Sequence, residues 1–365
     1  MVSDVLPRMK NVTAMYVNHR EDSATQSLWR ICNPNAQYLP LDVDFPNLTE
    51  LHIRTSVISH ITGIMTQDLN LVPEFINKFQ KTLTRLSISH YLHTTAIGIP
   101  TYDSLVRFPN LISVTLEPGS RGYAGFIKQH ADSLLELQCP IDSFPDGIGP
   151  IQFRRLKKVT LTFDALVMSH PESSWWMSSS PFLTSILPTV RRLRLSGDWY
   201  KDQEIGAFLQ TVARLSVNAE CGLAELAVVL RIGSIDLLPA IASTFPKLRS
   251  LEITFADIIS SRDRLIQPDR MYPFEEGYIA AAKWMICILS RVNVPWGLED
   301  ITITCRGGPV DIPMWGMMYI CGRFIPSISS FNSTGNKIIP EDVEIPYKFM
   351  DTLCTDYNSS SAAGE

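Results

Sequence analysis

The nonapeptide FPNLTELHI at residues 45–53 recurs with small changes as FPNLISVTL at 108–116 and as FPKLRSLEI at 245–253. Because proline disfavours a helical conformation in the residue before it, each phenylalanine is expected to end a helical segment. The chain then turns, and the leucine at the fourth position fills the core. Alternating apolar residues follow, which is typical of a short strand with one buried face. The nonapeptide therefore predicts a helix end, a turn and a strand at three places in the chain.

A looser form of the pattern, apolar-x-x-apolar-x-apolar, occurs ten times in order along the chain. One match is weak evidence, but ten in succession indicate a repeat architecture. The copies begin at Val12, Leu48, Leu83, Leu111, Leu134, Leu156, Val190, Leu223, Leu248 and Leu298. Segments with apolar residues three and four apart are predicted to form amphipathic helices between the strands. They cover residues 68–83, 122–135, 201–216, 234–245 and 275–292.

A strand, a helix and a second strand of the same direction make a parallel sheet with right-handed crossovers. Stacking such units with all helices on one side bends the sheet into an arc, with strands concave and helices convex. We therefore predict an α/β solenoid of about ten β-α repeats over residues 1–331, with a loop insertion near 257–277. Residues 332–365 are predicted to be irregular and to end in a disordered tail. The residues predicted to be buried are Leu51, Ile53, Leu86, Ile88, Val159, Leu161, Leu193, Leu195, Leu251 and Ile253.

These segments resemble leucine-rich-repeat proteins of the irregular, long-repeat kind, and most nearly the repeat domain of fungal F-box proteins. FPKLRSLEI and LPTVRRLRL (187–195) are typical of that domain, and the resemblance spans roughly residues 5–305. It implies an irregular leucine-rich-repeat horseshoe. The usual repeat carries Asn or Cys three residues past the strand, whereas this chain has residues such as Ser56 and Tyr91 there. The side-chain hydrogen-bond ladder of the family is therefore expected to be absent or improvised.

The first copy of the pattern begins at Val12, and no helical F-box segment ending in a tryptophan precedes it. Solenoid ends need a polar cap, since an uncapped end exposes apolar side chains and unpaired strand groups. We therefore expect the strand at residues 15–17 to be a bare edge. A missing N-terminal segment, or a partner docked at this end, is the expected explanation.

Composition excludes several classes of protein. The chain has 365 residues, 45% of them hydrophobic, and a formal net charge of −5, which argues against general binding to nucleic-acid phosphates. It shows neither a signal peptide nor an apolar stretch long enough to cross a bilayer. Its seven cysteines are scattered without a CxxC pair, as is typical of reduced thiols. We therefore predict a cytoplasmic or nuclear protein that binds neither nucleic acid nor membrane.

Two segments invite a chemical interpretation. PGSRGYAGF (118–126) follows a strand and precedes a helix as a phosphate cradle does, but its glycine spacing favours an ordinary β-to-α turn. His90 and His93 in HYLH lack a third ligand and the adjacent glutamate of a metalloprotease. The pair Trp175 and Trp176 is a reasonable contact point if it is exposed. No catalytic residue, cofactor site or metal site is predicted, and we expect the protein not to be an enzyme.

The strand residues that point away from the core would line the concave face and recognise a protein partner. Those predicted to bind it are Arg85, Lys158, Arg192, Arg194, Glu225, Glu252 and Asp300, and His52, Arg54, Thr115, Thr160 and Thr302 share their face. The middle repeats are basic and the later ones acidic, which predicts a partner of matching polarity. The resemblance implies substrate recognition for an F-box-type ubiquitin ligase, with an adaptor bound through the missing N-terminal segment. The alternatives are a GTPase activator and an enzyme with a site under residues 257–277.

Overall fold

The computed structural model divides the chain into two compact units. Unit 1 comprises Met1–Asp164 and Ser178–Val190, and unit 2 comprises Ala165–Met177 and Arg191–Glu365. The structure describes residues 11–20, 45–57, 71–92, 103–116, 123–140, 151–163, 180–200, 202–216, 222–233, 237–258, 286, 289–290, 292, 296–305 and 320–333.

Unit 1 is built from parallel strands in chain order, each hydrogen-bonded to the next. The strands are β1 (Ala14–Arg20), β2 (Glu50–Val57), β3 (Arg85–Leu92), β4 (Ser113–Leu116), β5 (Glu136–Pro140) and β6 (Lys158–Phe163). The helices are α1 (Leu71–Asn77) between β2 and β3, α2 (Tyr123–His130) between β4 and β5, and α3 (Ser180–Ile186) after β6. The predicted parallel pairing of the second and third strands is confirmed.

Unit 2 repeats this plan, with parallel strands again in chain order. Its elements are β7 (Arg192–Tyr200), α4 (Asp202–Ser216), β8 (Glu225–Gly233), α5 (Leu237–Thr244), β9 (Ser250–Ile258), β10 (Asp300–Cys305) and β11 (Ser330–Ser333). The pairing of β7 with β8 is irregular between Leu195 and Tyr200. The predicted α/β class with parallel strands is confirmed in both units.

The apolar alternation of the strands becomes the core because neighbouring repeats pair in the same register over the first residues of their strands. Leu51 pairs with Leu86 and Leu86 with Val114, so the same position of each repeat enters one buried row. The helices of each unit also contribute buried side chains, such as Phe126 in unit 1 and Phe208 in unit 2, both at most 2% exposed. All ten residues predicted to be buried are at most 4% exposed, so that prediction is confirmed. In β1, Met15 and Val17 are only half-buried.

A main-chain hydrogen-bond ladder fixes this register at the start of the strands. In each step, one carbonyl accepts the N–H groups of two consecutive residues in the next repeat. The Thr49 carbonyl, for example, accepts from Thr84 and Arg85 at 2.8 and 3.0 Å. The acceptors are Thr13, Thr49, Thr84, Ile112 and Leu135 in unit 1, and Arg191, Ala224, Arg249 and Glu299 in unit 2. The repeats are thus aligned here by backbone carbonyls, which any residue type supplies.

The three nonapeptides form the same turn. The leucine N–H donates to the phenylalanine carbonyl at 3.0 Å for Leu48, 3.3 Å for Leu111 and 3.1 Å for Leu248. Proline at the second turn position suits this geometry because its φ is already fixed. Phe245 directly follows α5, as predicted, whereas Phe108 follows a non-helical stretch at 103–107, so the prediction of a helix end there is wrong.

The Asn77 side chain accounts for the non-helical stretch before Phe108. Its amide donates to the Ser104 carbonyl, and its oxygen accepts the Val106 N–H, both at 3.0 Å. These bonds satisfy backbone groups that a helix would otherwise pair internally. The local sequence does not reveal this, because Asn77 lies in the preceding repeat.

β11 is an eleventh strand that the ten copies of the pattern do not include. It follows a turn closed by the Ile328 N–H and the Ile325 carbonyl at 3.1 Å, as in the nonapeptides. Ser333 stands where the pattern requires an apolar residue, which hid this copy. α3 was also not among the predicted helices.

Several predicted features lie outside the described residues. These are most of the 257–277 insertion, most of the helix at 275–292, and the tail after Ser333. Among the described residues, no helix combines the length and the apolar composition that crossing a bilayer requires.

Candidate interaction surface

The strands of each unit turn one side toward the helices and the core and present polar residues on the other. We call this second side the polar strand face. All seven residues predicted to bind a partner lie on it. Arg85, Arg192 and Arg194 are exposed, and the rest are half-buried, namely Lys158, Glu225, Glu252 and Asp300. The alternation of the strands thus predicted correctly which way these side chains point.

In unit 2 the predicted basic and acidic residues contact one another. The Arg192 guanidinium donates to the Glu225 carboxylate on the adjacent strand. Arg194 Nη2 lies 3.3 Å from Glu252 Oε1, two strands away, and the intervening position is Ala227. The short alanine side chain leaves the space that this longer pair spans. The expected separation of a basic region from an acidic one is therefore offset in this unit by ion pairs, while Asp300 contacts no cation among the described residues.

In unit 1 the predicted Lys158 also has a carboxylate neighbour. Its Nζ lies 3.9 Å from Glu136 Oε1, and Ser113 Oγ donates to the other carboxylate oxygen at 3.3 Å. Arg85 differs from these residues, because no carboxylate within the described part of the chain lies within ion-pair distance of it. Arg54, exposed on β2, shares this property.

Strands β1 and β2 hold a cluster of side chains around Tyr16. Tyr16 was not among the residues predicted to bind a partner. The Tyr16 and His52 rings stack with centroids 4.4 Å apart and planes 8° apart. Tyr16 is 70% exposed, more than any other large hydrophobic side chain among the described residues. His52 Nε2 lies 2.7 Å from Glu50 Oε1. The outward alternation of β1 was the signal that could have identified Tyr16.

The pKa of Glu50 in this cluster is lowered from its ordinary value. The hydrogen bond from His52 is the main cause that lowers the pKa of Glu50. The charges of His52 and Arg85 and the Tyr16 hydroxyl lower this pKa as well, whereas burial raises it. Glu50 is thus an ionised carboxylate already engaged by His52. The electrostatic contribution of Arg85 is attraction without contact.

Some positions of the polar strand face are buried rather than exposed to solvent. Thr160 was predicted to line it, but only 7% of its surface is exposed. Thr162 on the same strand and Thr254 in unit 2 are buried as well. The prediction for Thr160 is wrong because alternation reports the direction of a side chain, not what covers it. Accessibility differs from strand to strand, since Arg54 is exposed at the fifth position of β2 whereas Thr254 is buried at the fifth position of β9.

The described parts of the segments that invited a chemical interpretation show no site. In PGSRGYAGF, residues 117–122 lie outside the described residues, and Tyr123 at the start of α2 is only 1% exposed. His90 belongs to β3, whereas His93, Trp175 and Trp176 lie outside the described residues. Among the residues described, no three His, Cys, Asp or Glu side chains group closely enough to hold a metal ion. Burial raises the pKa of the Cys321 thiol to about 12, so it is not a thiolate nucleophile at neutral pH.

His130 has a structural position that the sequence analysis missed. It is 2% exposed, its Nδ1 donates to the Phe126 carbonyl at 2.8 Å, and its Nε2 accepts the Phe108 N–H at 2.8 Å. Burial, and secondarily the charge of Arg107, lower its pKa, against the raising effect of the Phe126 carbonyl. His130 therefore acts as a neutral bridge between α2 and the turn at Phe108.

A scan against models of known protein families and a search of curated proteins found no match to this chain. The assignment of function therefore rests on the polar strand face and on the sequence resemblance.

Proposed function

We propose that this chain is a non-catalytic protein-binding module, built as an irregular leucine-rich-repeat horseshoe with concave strands and convex helices. It would serve in the cytoplasm or nucleus as the substrate-recognition part of an F-box-type ubiquitin ligase. A ligase adaptor would bind a segment N-terminal to the repeats. The resemblance of FPKLRSLEI and LPTVRRLRL to fungal F-box repeat domains supports this assignment.

One observation carries the protein-binding part of the proposal. Equivalent outward positions of successive repeats lie in register, so polar side chains recur at a strand spacing of about 4.8 Å. A rigid backbone of this kind presents many side chains to a macromolecule at little cost in ordering. Ion pairs such as that of Arg192 and Glu225 fix the side chains further.

The described residues favour neither of the alternatives raised by the sequence. A site under residues 257–277 would depend on a segment that lies largely outside them. A GTPase activator would need an arginine presented to a nucleotide. Arg192 and Arg194 are engaged with carboxylates. No described group beside the unengaged Arg54 and Arg85 points to a nucleotide.

Affinity purification of the full chain followed by mass spectrometry tests the proposal. Reversing Arg192 and Arg194 alone would place glutamate against Glu225 and Glu252, so repulsion would complicate the result. A sharper variant exchanges both pairs, combining Arg192→Glu with Glu225→Arg and Arg194→Glu with Glu252→Arg. The net charge and the pairs are kept while the charge pattern is inverted.

We expect a substrate partner to be recovered with the wild-type chain and to associate more slowly with the exchanged variant. When the bait also carries whatever segment its gene encodes ahead of the repeats, adaptor subunits of cullin ligases should be recovered equally with both. Absence of these adaptors would contradict the ubiquitin-ligase assignment. A partner that associates equally fast with both chains, at low and at high salt, would show that the face of unit 2 is not the recognition surface.

A further inference from the structure

The polar strand face of unit 1 carries both engaged and unengaged charges among its described residues. Some of its charges are engaged, since Glu50 contacts His52 and Lys158 lies beside Glu136. The exposed guanidiniums of Arg54 and Arg85 contact no carboxylate among the described residues. On a chain with a formal net charge of −5, these two cations form a local basic site. Such a site attracts acidic groups although the whole protein repels them.

Tyr16 gives this basic site an anchor. Its ring is held flat against His52, at 4.4 Å between centroids, while 70% of its surface remains exposed. A side chain that is already ordered loses little entropy when a partner covers it. Tyrosine and arginine are also the residue types that dominate binding energy at protein interfaces.

The strand register sets the spacing of the two cations. Arg54 pairs with Ser89, and Arg85 lies four residues earlier on that strand. At about 3.3 Å per residue, the two positions lie about 13 Å apart along the strands and about 5 Å apart across them. Acidic residues four positions apart in an extended segment have the same spacing along the chain. His52 and Ser87 occupy the positions between the two cations.

We propose that Tyr16, Arg54 and Arg85 form the anchor site for an acidic, extended segment of a protein partner. Two carboxylates of that segment pair with Arg54 and Arg85, and an apolar side chain between them covers the Tyr16 ring. This inference rests on the proposed protein-binding function and specifies where the partner binds and what its chemistry is. The partner would thus be anchored on β1, β2 and β3 rather than at Lys158, Arg192 and Arg194, whose charges are engaged.

Fluorescence anisotropy with the full chain tests this site directly. The probe is a fluorescein-labelled peptide of about ten residues, with glutamates four positions apart and a leucine between them. Matched peptides carry lysine or glutamine in place of glutamate, and a labelled single-stranded oligonucleotide tests nucleic acid. We expect saturable binding of the glutamate peptide that weakens as salt rises.

Two variants and one control separate this site from general charge attraction. Arg54→Gln with Arg85→Gln should weaken binding about tenfold, because both ion pairs are lost. Tyr16→Ala should weaken it about fivefold through loss of the apolar contact. The control, Arg155→Gln with Lys157→Gln, removes the same charge from exposed positions before β6 and should change binding less than about twofold. Circular dichroism of each variant checks that the fold is kept.

The inference is overturned if the control weakens binding as much as the double variant does. It is also overturned if the lysine peptide or the oligonucleotide binds more tightly than the glutamate peptide, or if no peptide binds. These failures are distinct from failure of the proposed function. A co-purified partner that ignores Tyr16, Arg54 and Arg85 but responds to the exchanged pairs of unit 2 would refute only the anchor site.

Discussion

The turns at Phe108 in unit 1 and Phe245 in unit 2 have almost the same sequence but are held differently. Both phenylalanines are buried, at 0% and 3% exposure, and both carbonyls accept the N–H of the leucine three residues later. The Phe245 N–H donates to the Ile241 carbonyl at 2.8 Å, within the end of its own helix. The Phe108 N–H instead donates to the His130 side chain, 22 residues away.

This difference shows what a repeat motif controls. The motif fixes the turn and the buried ring, because proline geometry and hydrophobic burial act locally. It does not fix the partner of the phenylalanine N–H, which depends on the preceding segment. Where that segment is α5, the helix supplies the acceptor. Where it is the stretch anchored by Asn77, a histidine from the next repeat supplies it.

The largest expected effect concerns the buried phenylalanine ring that both turns share. Phe108→Ala and Phe245→Ala should each lower the free energy of unfolding by about 3–5 kcal/mol, measured by urea unfolding. Phe108 should lie at the upper end, because its ring also contacts Phe126 edge-on, with centroids 6.1 Å apart. Val106→Ala, at a position 37% exposed, is the control and should cost under about 0.5 kcal/mol. A cost below about 1 kcal/mol for either phenylalanine would contradict the common role.

The next effect concerns the acceptor of the Phe108 N–H, which is where the two turns differ. His130→Ala should cost about 2–3 kcal/mol, because the buried Phe108 N–H loses its acceptor and the ring leaves a cavity. His130→Gln should recover part of this, since an amide oxygen can accept the same N–H. Gln129→Ala, at an exposed position of the same helix, is the matched control. If His130→Ala unfolds no more easily than this control, the Phe108 turn does not depend on the histidine.

A smaller effect appears as pH dependence of unit 1. The pKa of His130 is lowered in the folded state, so the unfolded chain takes up the proton more readily. Its contribution to stability should therefore be complete above a pH of about 6.5 and decline as the pH falls through the folded-state value. Urea unfolding between neutral and mildly acidic pH should show this decline in the wild type and a shallower one in His130→Gln. Parallel curves for the two proteins would exclude the linkage.

The smallest effect tests a second comparison, between Arg85 and Arg192. Each is the first residue of its strand, but only Arg192 contacts a carboxylate, that of Glu225. A double-mutant cycle of Arg192→Ala and Glu225→Ala should give a coupling of up to about 1 kcal/mol, as both side chains are about half exposed. The equivalent cycle for Arg85 and Glu50 should give a smaller coupling, because these two charges attract each other without contact. Equal couplings would mean that Arg85 is as engaged as Arg192, and the acidic-segment site would lose its basis.

Much of the architecture could be read from local patterns. The alternation identified ten of the eleven strands in the described residues, and it predicted correctly that residues such as Leu51 and Leu193 are buried. It failed at β11, where Ser333 interrupts the apolar pattern although the preceding turn is preserved. Helices were predicted with longer bounds than they have, as α1 and α2 show, because amphipathic spacing continues into the turns that follow them.

The sequence by itself determined the order of the strands, the core side of each one, and the turns that precede several of them. These depend on the period of apolar residues and on proline geometry, which act within a few residues. The tertiary structure alone decided that Arg194 reaches Glu252, that Thr160 is covered, and that Phe108 donates to His130. Each of these depends on which side chains the register brings alongside and how far they reach. Residues from different repeats meet in this way only after the strands have paired.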